Sequence, residues 1–136
     1  MTNLNIDTSA LTISERYRIK IGVENRVGET LSDSVGFLLA EVPSQPEPPT
    51  RVSDGNSLQI LMTPPAFDGG SIIESYQLQI KTEKDLDWIV VLGPESVVNL
   101  STIFEVGPEI NLKAGEQLQA RYRVRNSIGW SQYSKT

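Results

Sequence analysis

Leu58 to Ile80 run LQILMTPPAFDGGSIIESYQLQI, two apolar-alternating segments joined by a stretch rich in Pro and Gly. Leu58, Ile60 and Met62 recur at every second position, the period of a strand with one buried face. Pro64 and Pro65 end that run because neither can donate to a ladder, and Asp68-Gly69-Gly70 then supplies a turn. Tyr76, Leu78 and Ile80 resume the alternation on one face, with Gln77, Gln79 and Lys81 on the other. Outward from this core, Trp88 to Val91 and Ile103 to Val106 form two short strands. Ala120, Tyr122 and Val124 alternate with Arg121, Arg123 and Arg125, a strand with one apolar and one charged face. No window of ten residues carries helical periodicity, so the chain reads as all-β with short turns.

The sequence also repeats itself. YRIKIGVENRVGETLS, from Tyr17, aligns with LQARYRVRNSIGWSQY, from Leu118, placing Asn25 on Asn126, Gly28 on Gly129 and Val23 on Val124. Leu11 matches Leu112 upstream. A period of about 100 residues is that of a whole immunoglobulin-like sandwich rather than of a helical solenoid unit. Between the copies, EVPSQPEPPT holds four of the eight prolines, which makes it extended and semi-stiff.

These motifs, in this order, resemble fibronectin type III modules over nearly the whole chain. The family's B strand, Pro pair, Gly-Gly turn and C strand look like Pro64, Pro65, Gly69, Gly70, Ile73 and Tyr76 in place, and its F strand and F to G turn look like RYRVRNSIGWS. The resemblance implies an all-β sandwich with one nearly complete module, residues 50–136. It is preceded by residues 1–40, the C-terminal part (strands F and G) of another, with residues 41–49 as a Pro-rich linker. Two positions depart from the pattern. Met62 stands where the B strand commonly carries Trp, which predicts a softer core. In the tyrosine corner, Tyr17 fits the first copy, while Leu118 replaces it in the second and is expected to be buried there. Residues 1–40 alone make a two-stranded hairpin, marginal in water. The expectation is therefore a piece of a longer tandem array, with strand complementation of residues 1–40 by another chain as the alternative.

Composition narrows the chemistry. With no His and no Cys, the chain has no Ser/His or Cys/His nucleophile, no usual zinc site and no disulfide, and it is not expected to be an enzyme or to hold a cofactor. Twelve basic against 17 acidic residues give a net charge of −5, which disfavours phosphate backbones, so no nucleic acid is expected as a partner. The apolar runs are too short for membrane insertion, and residues 1–14 lack a signal peptide's basic and apolar regions. Glu83, Asp85 and Asp87 lack the spacing of a calcium loop and read as a solvated hairpin end; no metal is expected. Asp68 and Glu74 read as turn residues, not as an acid and base pair.

The most specific constellation is Arg121, Arg123 and Arg125 followed by Trp130-Ser131-Gln132-Tyr133-Ser134. It is similar to the WSxWS box of cytokine receptors, with Tyr133 for the second Trp, and that resemblance implies arginines stacked between the rings. The expected use is a structural cation–π ladder. Glu29 and Ser32 occupy the ring positions in the first copy, and the receptor's cysteine pairs are absent, which counts against a cytokine-receptor role. Asn99-Leu100-Ser101 is a possible glycosylation sequon. Together these features predict a non-enzymatic structural or adhesive spacer whose partners are proteins or neighbouring modules. It is placed first at the cell surface or outside the cell, with an intracellular filament or ciliary scaffold as the alternative and a receptor ectodomain after that.

Overall fold

The structure, a computed structural model, describes residues 5–53 and 57–136; residues 1–4 of the expected partial module lie outside it. The first copy is one interrupted hairpin. β1 (Arg16–Ile19) pairs antiparallel with β4 (Val35–Leu38), and β2 (Gly22–Glu24) with β3 (Glu29–Leu31). The interruption falls at Ile21 and Ser32, where the Ser32 hydroxyl oxygen accepts the Ile21 N–H at 2.9 Å in place of a backbone carbonyl. As the tyrosine corner requires, the Tyr17 hydroxyl accepts the Thr12 N–H at 2.7 Å.

Residues 50–136 form two antiparallel sheets. One has the order β5 (Thr50–Ser53), β6 (Leu58–Leu61), β9 (Ile103–Glu105). The other has β10 (Leu118–Arg125) and β8 (Ile89–Leu92) flanking β7 (Ser75–Thr82). Past the turn, the chain returns along the free edge of β10, with Ser131 N–H bonded to Val124 O and Ser134 N–H to Tyr122 O, both at 2.8 Å. Ile60 and Met62 from the first sheet pack against Tyr76, Leu78, Ile80, Tyr122 and Val124 from the second, and all seven are buried. This is the sandwich that the alternation and the family resemblance predict.

Three details differ from the expectations. Leu118 packs on the core but is only half-buried, because the sandwich is open beside it. The hydroxyl that ties strand F to the opposite sheet comes instead from Tyr122, which donates to Thr63 O at 3.0 Å and accepts the Thr63 N–H at 3.2 Å. Gln77, on the face read as outward, is 2% exposed, because the arginine layer covers it. In the core, burial and then the neighbouring Tyr122 push the Tyr76 hydroxyl above the ordinary tyrosine range.

Candidate functional site: an arginine ladder and a pinned linker

The charged face of β10 and the returning segment make one stack. Strand geometry sets Arg121, Arg123 and Arg125 on a common face, and the bridge between Arg125 and Trp130 lays the aromatic residues alongside. Arg121 lies 4.2 Å from the Trp88 ring centroid and 4.3 Å from that of Tyr133. Arg123 lies 4.6 Å from Trp130 and 4.8 Å from Tyr133, and Arg125 stands 5.3 Å from Trp130. The order is Trp88, Arg121, Tyr133, Arg123, Trp130, Arg125. All five residues singled out in the sequence meet here, joined by a sixth, Trp88, which the pairing of β7 with β8 delivers from across the sheet.

The guanidinium planes are held from below by amides. Arg121 Nε donates to Gln79 Oε1 at 3.0 Å and Arg123 Nε to Gln77 Oε1 at 2.9 Å. Gln77 Oε1 also accepts the Tyr133 hydroxyl at 2.9 Å, while its amide nitrogen donates to Gly93 O. Arg123 Nη2 reaches Glu95 Oε1 at 2.7 Å; that carboxylate is largely exposed, so the ion pair is worth little in water. Arg125 Nε is buried without a hydrogen-bond partner among the described residues, its charge facing the Trp130 ring. Arg121 and Arg123 each lie between two rings, while Arg125 ends the stack against Trp130 alone.

A second constellation lies at the turn end of the module. The Asn126 side chain is 1% exposed and uses all its hydrogen-bonding capacity. Its Oδ1 accepts the Ile128 and Gly129 N–H groups at 2.9 and 3.2 Å, which shapes the turn. Its Nδ2 donates to Glu41 O at 2.6 Å and Asp68 O at 2.8 Å, which ties the linker to the turn after β6. Glu41 N–H in turn bonds Gly69 O at 2.8 Å. Gly69 and Gly70 have φ of +81° and +79°. The left-handed conformation alone favours Gly, and so do the neighbours: a Cβ on Gly69 would collide with Glu41 O, and one on Gly70 with Ser14 of the first copy. Farther along, Ser44 N–H bonds Phe67 O, Ser44 Oγ accepts the Phe67 N–H, and Gln45 Nε2 donates to Tyr133 O. Pro43 and Pro46 are buried. Residues 41–49 carry no helix or strand, and the first half of this Pro-rich segment is laid down on residues 50–136.

The remaining sequence candidates are local structure. Asp85 accepts the Thr82 N–H and hydroxyl, and these bonds hold its carboxyl below the usual range. Lys84 pairs with Glu116, lowering that carboxyl as well. The Asn99 amide nitrogen points inward, donating to Tyr76 O and Ser101 O at 3.3 Å, while its Oδ1 accepts the Ser101 N–H.

No protein-family profile matches the sequence. The titin homolog of Caenorhabditis elegans is 26% identical over 134 residues, which is 97% of this chain and 1% of that protein. A crystal structure of consecutive domains from titin is 28% identical, covering 82% of this chain and 36% of that one with a TM-score of 0.59. A structure of titin kinase and its flanking domains, also 28% identical, covers 71% of this chain and 16% of that one at a TM-score of 0.54. Domains d3–d4 of the rat CD45 extracellular region share the fold at 13% identity and a TM-score of 0.58, over 98% of this chain and 67% of that one. The chain thus spans about a hundredth of the curated relative and about a third of the first titin structure. Its architecture is the fibronectin type III or immunoglobulin-like sandwich of tandem-repeat proteins.

Proposed function

We propose that this chain is a structural spacer segment of a long tandem array of the cytoskeletal, titin-like kind, and that its work is to fix the angle between successive modules. The observation that carries this reading is the pinned linker. A free Pro-rich connection would be only semi-stiff, whereas here backbone and side-chain hydrogen bonds at Glu41, Ser44 and Gln45 hold it to the module. The array placement is supported by the match to a protein about a hundredfold longer than the matched segment. Cytoskeletal placement gains further support from Asn99. A glycan on its Nδ2 would replace one of the two hydrogens that donate to Tyr76 O and Ser101 O, so the sequon reads better as a loop anchor. The extracellular, adhesive reading that the sequence places first is accordingly ranked below the filament scaffold. The arginine ladder has a structural role in this account, fastening the returning C-terminal segment to β10.

Amide hydrogen exchange on the intact chain tests the junction. The Glu41 and Ser44 amides are expected to be protected, and Gly69→Ala to release both while Leu78 stays protected. Unprotected Glu41 and Ser44 in the unaltered chain would overturn the fixed-angle reading. Glycan on Asn99 in protein from its native source would overturn the cytoskeletal placement.

A further inference from the structure

The three arginines of β10 are rungs of one ladder, and the third rung is short of partners. Register sets Arg121 opposite Gln79 and Arg123 opposite Gln77 on β7, and each of these arginines gives its Nε–H to the amide oxygen across from it. Arg125 stands opposite Ser75 instead. Ser75 is buried, has a shorter side chain than glutamine, and spends its hydroxyl oxygen on the Asn99 N–H at 3.0 Å. Arg125 Nε is therefore buried with no acceptor. Rings run short at the same rung, since Trp130 covers Arg125 from one side only and at 5.3 Å, the longest spacing in the stack. Arg123 has Glu95 as a counter-charge, whereas no carboxylate pairs with Arg125 among the described residues. The shortfall originates in Ser75, in the register of two strands of one module.

A guanidinium stays charged at any ordinary pH, so this rung cannot escape its deficit by losing a proton. A buried donor left without an acceptor is a costly exception that calls for a reason. Arg125 as a whole is only half-buried, which leaves its outer edge within reach of a partner. The surroundings favour an anion. β7 and β10 give this face Lys81, Arg121, Arg123 and Arg125 and no acid, in a chain whose net charge is −5. Three of the four are already engaged: Lys81 donates to Leu86 O, Arg121 to Gln79, and Arg123 to Gln77 and Glu95. Arg125 is the rung with capacity to spare.

We infer that Arg125 is the docking point for a carboxylate from outside the chain, an Asp or Glu side chain of a protein partner, received by the outer nitrogens of the guanidinium with the Trp130 ring as the wall beside it. A planar carboxylate matches the guanidinium fork with two parallel hydrogen bonds and supplies the counter-charge that the third rung lacks. A phosphate dianion would need a second uncommitted cation, and Arg123, the next along the strand, is bonded to Gln77 and Glu95. The first two rungs fasten the returning segment, and the third adds a point of lateral attachment that does not depend on the spacer reading.

The test follows the intact chain by NMR, reading the arginine Nε–H and tryptophan indole N–H resonances while a hexaglutamate peptide is added at constant ionic strength. Hexaglutamine and inorganic phosphate are the comparison probes. Hexaglutamate is expected to move the Arg125 and Trp130 resonances saturably and to leave those of Arg121 and Trp88 in place, and hexaglutamine to move none. Arg125→Lys keeps the charge but loses the fork, and is expected to weaken binding at least about fivefold. Should that variant fail to fold, the two peptides on the unaltered chain still decide. Absence of a saturable shift at Arg125 with millimolar hexaglutamate would overturn the inference. So would equal shifts at all three arginines, which would mean diffuse attraction to a basic face, or phosphate saturating Arg125 at a lower concentration than the peptide. Unchanged affinity in Arg125→Lys would overturn the paired geometry and the inference with it.

Discussion

The two F to G hairpins have nearly the same turn and opposite surroundings. In the first, Asn25 Oδ1 accepts the Val27 and Gly28 N–H groups at 2.8 and 3.2 Å. In the second, Asn126 Oδ1 accepts the Ile128 and Gly129 N–H groups at 2.9 and 3.2 Å. The backbone bond across each turn is also matched, at 3.0 and 3.1 Å. Yet Val23 is 69% exposed where its counterpart Val124 is fully buried, and Ile21 is 54% exposed where Tyr122 is fully buried. An Asn-x-x-Gly turn closes on its own chemistry, because Asn can stand in for a backbone acceptor. Whether the strands beside it own a core depends on what the rest of the chain lays against them.

The largest expected contrast is therefore between Val124→Ala and Val23→Ala. Removing two methyl groups from the closed core at Val124 should cost about 2 kcal/mol, from lost transfer energy and a residual cavity. The same change at Val23 should fall within about 0.5 kcal/mol, as for an exposed position. Urea denaturation followed by Trp fluorescence reads both. Equal costs would mean that the first hairpin is buried in solution against a surface other than those described, and the contrast between the copies would fail.

Next comes the asparagine pair. Asn126→Ala removes a buried amide that donates to Glu41 and Asp68 and accepts from two turn N–H groups, so a loss of about 1 to 2 kcal/mol is expected. The Glu41 amide should lose its exchange protection at the same time. Asn25→Ala disturbs only an exposed turn and should leave the denaturation midpoint of residues 50–136 unchanged. If the two substitutions had the same effect, Asn126 would be a turn residue only, and the linker would not depend on it.

How much of this was legible in the residues follows from how local each feature is. The turn and the alternation of β7 and β10 were readable, because each depends on residue type at short spacing along one strand, while the five ladder residues came from the resemblance of Trp130 to Ser134 to a WSxWS box. Trp88 was readable in neither way. It reaches Arg121 through the register of β7 with β8, which shifts between Leu78 and Gln79, and no spacing along the chain encodes that. Gln77 looked like any outward polar residue until the arginine layer covered it. The docking of the linker was also out of reach, since it rests largely on backbone partners such as Glu41 N–H to Gly69 O, which leave no mark in side-chain pattern. Asp68-Gly69-Gly70 signalled a turn, but not that its glycines also make room for another part of the chain.

The ladder is a third difference between the copies, since Lys20, Gly22 and Glu24 stand at the positions of Arg121, Arg123 and Arg125. Arg123→Met keeps an apolar stem but empties the central place between Tyr133 and Trp130. The expected cost is about 1 kcal/mol, from two partly exposed cation–π contacts and the hydrogen bond to Gln77. Raising the salt concentration should narrow the gap between the variant and the unaltered chain only slightly, because the Glu95 pair is the more screened part. A loss far above this value would mean that the returning segment detaches altogether once the stack is broken.

The smallest expected effect is the sharpest test of the comparison. Among the described residues no strand of the first hairpin pairs with a strand of residues 50–136. The junction bonds that hold the linker begin at Glu41. Removing residues 1–40 while retaining Glu41 onward should therefore shift the melting temperature of the remainder by no more than a degree or two, since about 1 kcal/mol would already move a domain of this size by several degrees. The first copy meets the turn that seats the linker where Ser14 lies against Gly70. A large drop on deletion would thus assign that contact a share in the core, and would make the first hairpin and residues 50–136 a single cooperative unit.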